Sequence, residues 1–247
     1  MADWLHRGDD DSGFRNLGLW TGVDRYGEAG RALALAVGQA AALQRGHRVL
    51  SMACGAGAEL RLWRQHFHAA AVLGIDRDPA AVAQAQAQVA GDPACRVRAR
   101  LLPTDRDFDA VLCVDAAYHL SPRAPWLQQA HAQLRPGGHL AFADLVLRHG
   151  SSPLLRGAAA LCGVGDLTDS TQRLRQLHEA GFVDARAQDL DDAVLGGFAR
   201  FVARHRRGAG RGHCRGGRLR AQVTAALIGP CRRAGLGYVL FTARRST

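Results

Sequence analysis

The residues with chemical potential in this chain sit at the ends of apolar runs. Arg48-Val49-Leu50-Ser51-Met52-Ala53 is one such run, closed by Cys54-Gly55-Ala56-Gly57 and followed by helical spacing from Ala58. Glycines at such a turn let the backbone approach a ligand and leave helix N–H groups pointing at it. Nineteen residues after Gly57, Asp76 ends the next run, where a carboxylate can accept both hydroxyls of a ribose. Gly55-x-Gly57 alone says little, because many strand–helix turns carry two glycines for steric reasons. With Asp76 at this spacing it predicts a nucleoside-cofactor site. The third glycine of a dinucleotide fingerprint is missing, since Leu60 stands in its place. Further on, His119 follows Val114, the last residue of another apolar run, by five positions. An imidazole there can take a proton near neutral pH, and Tyr118 beside it can donate a hydrogen bond to a substrate. The alternative for His119 is a loop residue that touches substrate without moving a proton.

These residues need a scaffold, and the apolar pattern supplies one. Strands are expected at 48–53, 71–75, 95–101, 110–114, 139–146, 182–187 and 237–243. Helices are expected at 26–43, 58–67, from Asp78-Pro79 to Gly91, from Ser121-Pro122 to about Leu134, and at 171–180. The strands are continuous apolar runs that alternate with helices, the pattern of a parallel sheet covered on both faces. The expectation is one α/β domain over residues 1–247, doubly wound, with a mostly parallel seven-stranded sheet.

The same segments resemble the class I S-adenosylmethionine-dependent methyltransferases. Residues 48–57 look like that family's first motif, and Val72-Leu73-Gly74-Ile75-Asp76-Arg77-Asp78-Pro79 is similar to its acidic second motif. Phe108 to Asp115 resembles its fourth-strand motif, and Leu134-Arg135-Pro136-Gly137-Gly138 its turn into strand five. The resemblance implies a Rossmann-like methyltransferase fold whose last strand enters antiparallel beside strand five. It implies S-adenosylmethionine as cofactor, with Ser51, Ala53, Cys54, Gly55, Gly57, Asp76, Arg77 and Asp115 at its site. Asn16 to Trp20, Tyr26, and Ala117-Tyr118-His119 are similar to segments of relatives acting on small molecules, such as sterols, quinones and natural products. In those relatives the first 45 residues fold over the cofactor, so Trp20 and Tyr26 are expected at its methionine end; an aromatic staple for the arm is the other reading. Two positions depart from the pattern: Ser51 stands where the family usually has an acid, and Ala53 where it has a glycine. The adenine-holding acid after strand three also has no counterpart before Leu101-Leu102-Pro103.

Composition narrows the classes. The chain has 247 residues, 47% hydrophobic and 22% charged, which excludes a disordered or fibrous protein. No apolar run is long enough to span a bilayer, and Met1-Ala2-Asp3-Trp4 runs on into Asp9-Asp10-Asp11 without the order of a signal peptide. A cytoplasmic protein is expected. The six cysteines lack zinc spacing, so no metal site is expected. All 32 basic residues are arginine, and residues 196–247 carry 12 of them with no acid. The run from Arg200 to Arg220 could meet phosphates of RNA or an anionic membrane surface, or be a solvated loop in an insert over 191–236. It lacks interleaved aromatics for base stacking. The function expected is methyl transfer to an oxygen or nitrogen of a small, lipophilic acceptor, with His119 as base and Tyr118 as donor. The alternatives are carbon methylation, RNA methylation and a non-catalytic cofactor-binding relative.

Overall fold

A short apolar run is stable as a strand only when both faces are covered, and Val49, Leu50, Ser51 and Met52 of β1 (Arg48–Met52) are all buried. The computed structural model describes residues 13–99, 106–161, 163–208 and 228–247. Helix α1 (Tyr26–Ala40) precedes β1, and α2 (Ala58–Gln65), β2 (Ala71–Asp76), α3 (Pro79–Val89), β3 (Cys95–Ala99) and β4 (Phe108–Cys113) follow. Next come a single helical turn at Ala117–His119, α4 (Arg123–Gln133), β5 (Leu134–Leu147), α5 (Pro153–Leu161) and α6 (Ser170–Glu179). Then β6 (Phe182–Asp189), α7 (Gly197–Gly208) and β7 (Leu236–Arg245) complete the order.

The seven strands form one sheet in the order β3-β2-β1-β4-β5-β7-β6. Strands β1 to β5 pair in parallel, while β7 runs antiparallel to both β5 and β6. The order reverses between β1 and β4, which opens a crevice at their carboxyl ends, the usual ligand position in such sheets. Alternate residues serve opposite faces. Val49, Ala110, Leu112, Ala141, Tyr238 and Leu240 pack toward α1, α2 and the residues before Tyr26. Leu50, Val111, Phe142, Val239 and Phe241 pack toward Trp126 and Leu127 of α4 and Leu177 of α6. Phe142 stacks on Phe241 at 5.2 Å and meets the edge of Trp126 at 5.1 Å.

Local chemistry sets the element ends. The Asp78 carboxylate accepts from the Ala80 N–H and Pro79 occupies the first turn of α3, as the sequence suggests. Some boundaries differ from expectation. Strand β5 begins at Leu134 rather than His139, because Leu134 pairs with Phe108 ahead of a bulge. Strand β6 runs on to Asp189, because Arg186 to Asp189 find partners on β7. Helix α5 has no counterpart in the sequence expectations. Strand β3 is described only to Ala99, and the stretch 100–105 lies outside the described residues, as do 1–12 and most of the Arg200–Arg220 run.

Candidate active site

After Met52 the backbone turns left-handed at Ala53 (φ 52°) and Gly55 (φ 52°), and Gly57 (φ 85°) opens α2. A Cβ on Gly57 would stand 2.8 Å from that of Ala85, so only glycine fits between this turn and α3. Around Gly55, by contrast, a Cβ would meet nothing within 4 Å. The turn therefore presents bare backbone to open space. Its Gly55 N–H donates to Asp76 Oδ2 at 2.8 Å, and the Asp78 N–H donates to Asp76 Oδ1 at 2.9 Å. These two bonds fix the carboxylate while each oxygen keeps a lone pair for a ligand. Beside it lies a cavity of about 250 Å³, walled by Met52, Ile75, Ala53, Arg77 and His119. Apolar Met52 and Ile75 suit a flat ring, and Asp76 suits the ribose attached to it. Ser51 beneath the turn is fully buried, and its hydroxyl makes no formed hydrogen bond. An open glycine, a held carboxylate and an orphaned hydroxyl fit a nucleoside cofactor that also carries an amino-acid arm.

One acid at this site was not anticipated. Glu59, in the first turn of α2, is half-buried, and its carboxyl is pushed up to about 8, chiefly by burial and further by the charge of Asp76. Ser51 lies close enough to steady the ionised form. The sequence signal was an acid two residues past the glycine turn, in a chain that lacks one at Ser51.

His119 is exposed at the end of the 117–119 turn. Its Nδ1 lies 3.0 Å from the Gly163 carbonyl oxygen. A carbonyl can only accept, which assigns a proton to Nδ1, so that in the neutral ring the lone pair lies on Nε2. The turn is braced from several sides. Gly165 N–H donates to the Tyr118 carbonyl at 3.1 Å, and Arg123 Nη1 donates to the Ala117 carbonyl. Asp166 accepts from the Ser121 hydroxyl and the Arg123 N–H, while Arg173 Nη2 donates to the Asp166 carbonyl. Beneath them Asp144 of β5, wholly buried, lies 3.2 Å from Arg123 and 3.1 Å from Arg173. Burial and the nearby Arg123 charge bring the Arg173 guanidinium down to about 10 despite that carboxylate. No sequence expectation included this triad. An acid alone in a buried strand, which must find a cation, was its signal.

Asp115, Trp20 and Tyr26 are not among the residues lining the cavity beside Asp76. Asp115 is buried and accepts from Leu17 N–H (2.6 Å), Tyr238 hydroxyl (2.6 Å) and Tyr118 hydroxyl (3.1 Å). Burial pushes its carboxyl up to about 6, and the three donors hold it from going higher. The Tyr118 hydroxyl thus gives its proton to Asp115 in a hydrogen bond. Trp20 stacks on Phe201 at 4.5 Å and its indole N–H donates to the Leu17 carbonyl; the Tyr26 hydroxyl donates to the Asn16 carbonyl. These aromatics staple the arm of residues 13–25 against α7. Cys54 is buried, its thiol pushed up by burial. Of the arginine run, Arg200 pairs with Asp192 at 3.2 Å and Arg204 with Asp24 at 3.1 Å.

Residues 50–140 match the model of a methyltransferase domain. Erythromycin 3''-O-methyltransferase of Saccharopolyspora erythraea is 30% identical over 214 residues, covering 77% of this chain and 68% of the relative. A phthiotriol/phenolphthiotriol dimycocerosates methyltransferase of Mycobacterium leprae is 31% identical, covering 64% of this chain and 60% of its own length. In fold, a cyclopropane synthase of Mycobacterium tuberculosis matches with a TM-score of 0.78 at 18% identity, over 99% of this chain and 94% of that one. Geranyl diphosphate C-methyltransferase of Streptomyces coelicolor, solved with S-adenosylhomocysteine, matches at 0.72 and 16% identity, over 90% of this chain and 78% of that one. With the glycine turn, the held Asp76 carboxylate and the sheet order already in place, these likenesses show that the chain belongs to the class I S-adenosylmethionine-dependent methyltransferases.

Proposed function

We propose that this enzyme transfers the methyl group of S-adenosylmethionine to a hydroxyl oxygen of a small, lipophilic, natural-product-like acceptor, the whole chain serving as one methyltransferase domain. The observation that carries the oxygen assignment is the His119 tautomer. With Nδ1–H given to Gly163, the Nε2 lone pair is the basic atom at the mouth of the cofactor cavity. A hydroxyl gains more from such a base than an amine, which is already nucleophilic. The relative named for 3''-O-methylation, which matches the greater part of this chain, supports the same acceptor atom.

The residues divide the work. Asp76 receives the ribose hydroxyls, Met52 and Ile75 flank the ring, and the 53–57 turn takes the amino-acid end. The cofactor, when bound, supplies a sulfonium methyl with an excellent leaving group. Alignment of donor and acceptor therefore carries most of the rate. His119 removes the hydroxyl proton as the carbon–oxygen bond forms. Arg123, Asp144 and Arg173 hold the turn beneath it. Asp115 holds the arm through the Leu17 N–H, and Trp20 and Tyr26 set that arm's position.

Transfer to RNA is the rival reading. Relatives named as tRNA U34 carboxymethyltransferases exist, one of them 33% identical over 45% of this chain. Against it, Arg200 and Arg204 already hold acids of this chain. The test uses methyl-labelled cofactor with erythromycin-type macrolide glycosides, lipid alcohols and tRNA, and compares wild type with His119→Gln. Label on a macrolide or lipid oxygen is expected. In His119→Gln, kcat falls about 100-fold with S-adenosylhomocysteine affinity unchanged. Label on tRNA alone overturns the acceptor class. Turnover within a few-fold of wild type removes the base role of His119.

A further inference from the structure

A carboxylate drawn even partly out of water is best met by a cation, and the half-buried Glu59 pairs with none among the described residues. The groups that act on it are Asp76 from β2, Ser51 from β1 and its own backbone. Its charge in turn reaches Cys54 in the turn and Cys113 at the end of β4. Glu59 itself stands in the first turn of α2, two residues past Gly57 and the turn that leaves β1. Asp76, the neighbouring acid, is held by two backbone N–H groups and no arginine. In a chain of net charge +10, with 32 arginines, neither carboxylate forms an ion pair with an arginine among the described residues. The second observation is a buried polar group: Ser51 of β1, wholly buried just ahead of the same turn, has a hydroxyl with no formed hydrogen bond.

We propose that Glu59 receives the α-ammonium group at the amino-acid end of S-adenosylmethionine, with the Ser51 hydroxyl as a second acceptor. Asp76 faces the ribose and cannot also serve the far end of the ligand. A primary ammonium has three N–H donors and seeks close oxygen acceptors, which Glu59 and Ser51 together supply. The acid missing at Ser51 is thereby replaced from the next helix. The assignment rests on the cofactor reading above, and its consequence is specific. With the crevice free of ligand the carboxyl sits at about 8, raised by burial and by Asp76, so it is mostly protonated at pH 7. An ammonium at hydrogen-bond distance holds it ionised. Binding at pH 7 therefore releases most of a proton from this carboxyl, and the release shrinks as the pH rises through 8.

Calorimetry reads this directly, with binding heats measured in phosphate and in Tris at each pH. Two probes separate the ends of the cofactor: S-adenosylhomocysteine keeps the ammonium, and methylthioadenosine lacks the amino-acid part. Wild type is expected to bind both and to release the proton only with S-adenosylhomocysteine. Glu59→Gln is expected to bind S-adenosylhomocysteine about tenfold more weakly without proton release, and methylthioadenosine unchanged. Glu59→Asp, which keeps a carboxylate on a shorter stem, is expected to keep the proton release. Unchanged S-adenosylhomocysteine affinity in Glu59→Gln overturns the proposal, as does persistent proton release. An equal loss on methylthioadenosine assigns Glu59 to the shape of the turn and also overturns it. Failure of the cofactor reading looks different: wild type then binds neither probe, and Asp76→Ala changes nothing.

Discussion

Tyr238→Phe removes one oxygen from the buried node at Asp115 and leaves the ring in place. Tyr238 is fully buried, and its hydroxyl donates to Asp115 Oδ1 at 2.6 Å. Donation to an ionised carboxylate contributes roughly 1.5–3 kcal/mol, whereas a neutral pair contributes roughly 0.5–1.5 kcal/mol. Asp115 titrates at about 6. The loss on Tyr238→Phe is therefore expected to be about 2 kcal/mol at pH 8 and about 1 kcal/mol at pH 5. The wild-type background runs in a known direction. The folded carboxyl is raised from 3.8 to about 6, so its contribution is full below about pH 4 and fades as pH rises through 6. That background is worth about 3 kcal/mol across the window. The variant pushes the Asp115 carboxyl higher still, which steepens the decline. Urea unfolding of both proteins at pH 5 and pH 8 gives the two differences. A loss that is equal at the two pH values, or larger at pH 5, refutes the idea that Tyr238 supports a charged Asp115.

Further expectations follow from the backbone and from the buried triad. Ala53 holds a left-handed φ of 52°, so Ala53→Gly is expected to raise stability by about 1 kcal/mol in thermal or urea unfolding; a net loss would mean the turn tolerates the methyl without strain. Asp144→Asn leaves Arg123 and Arg173 buried without a carboxylate and is expected to cost about 3–5 kcal/mol. Arg173→Met leaves a matched Arg123–Asp144 pair and is expected to cost less, about 1–2 kcal/mol. The reverse ranking in denaturant titrations would show that the triad is not governed by charge balance.

The parts legible in the sequence are those with a local cause. Continuous apolar runs gave β1, β2 and β4, and the Gly55-x-Gly57 turn with Asp76 came together because chain spacing within one βαβ unit sets their separation. The antiparallel β7 beside β5 followed from the family resemblance. What stayed hidden depends on distant partners. Asp115 stands where a ligand residue would, yet its acceptors are filled by Leu17, 98 positions away, and Tyr238, 123 positions away. No local pattern encodes either bond. Arg173, within Ser170-Thr171-Gln172-Arg173-Leu174-Arg175, reads as a solvated helix face but is wholly buried on Asp144. Glu59 is an ordinary first-turn acid by sequence, and only the crevice makes it costly. Helix α5 is rich in alanine with a central Gly157, so its apolar pattern is faint.

The position of β7 also orders events in time. Synthesis proceeds from the N-terminus, and β1 to β4 can pair among themselves once residue 113 is made. Strand β6, by contrast, has no neighbour in the sheet except β7 among the described residues. It must wait, with its edge open, until residues 236–245 leave the ribosome. The same late strand carries Tyr238, so Asp115 meets its full set of donors only then. A nascent chain halted before residue 236 would leave its β5 edge exposed to other strands and the Asp115 carboxylate short of one donor.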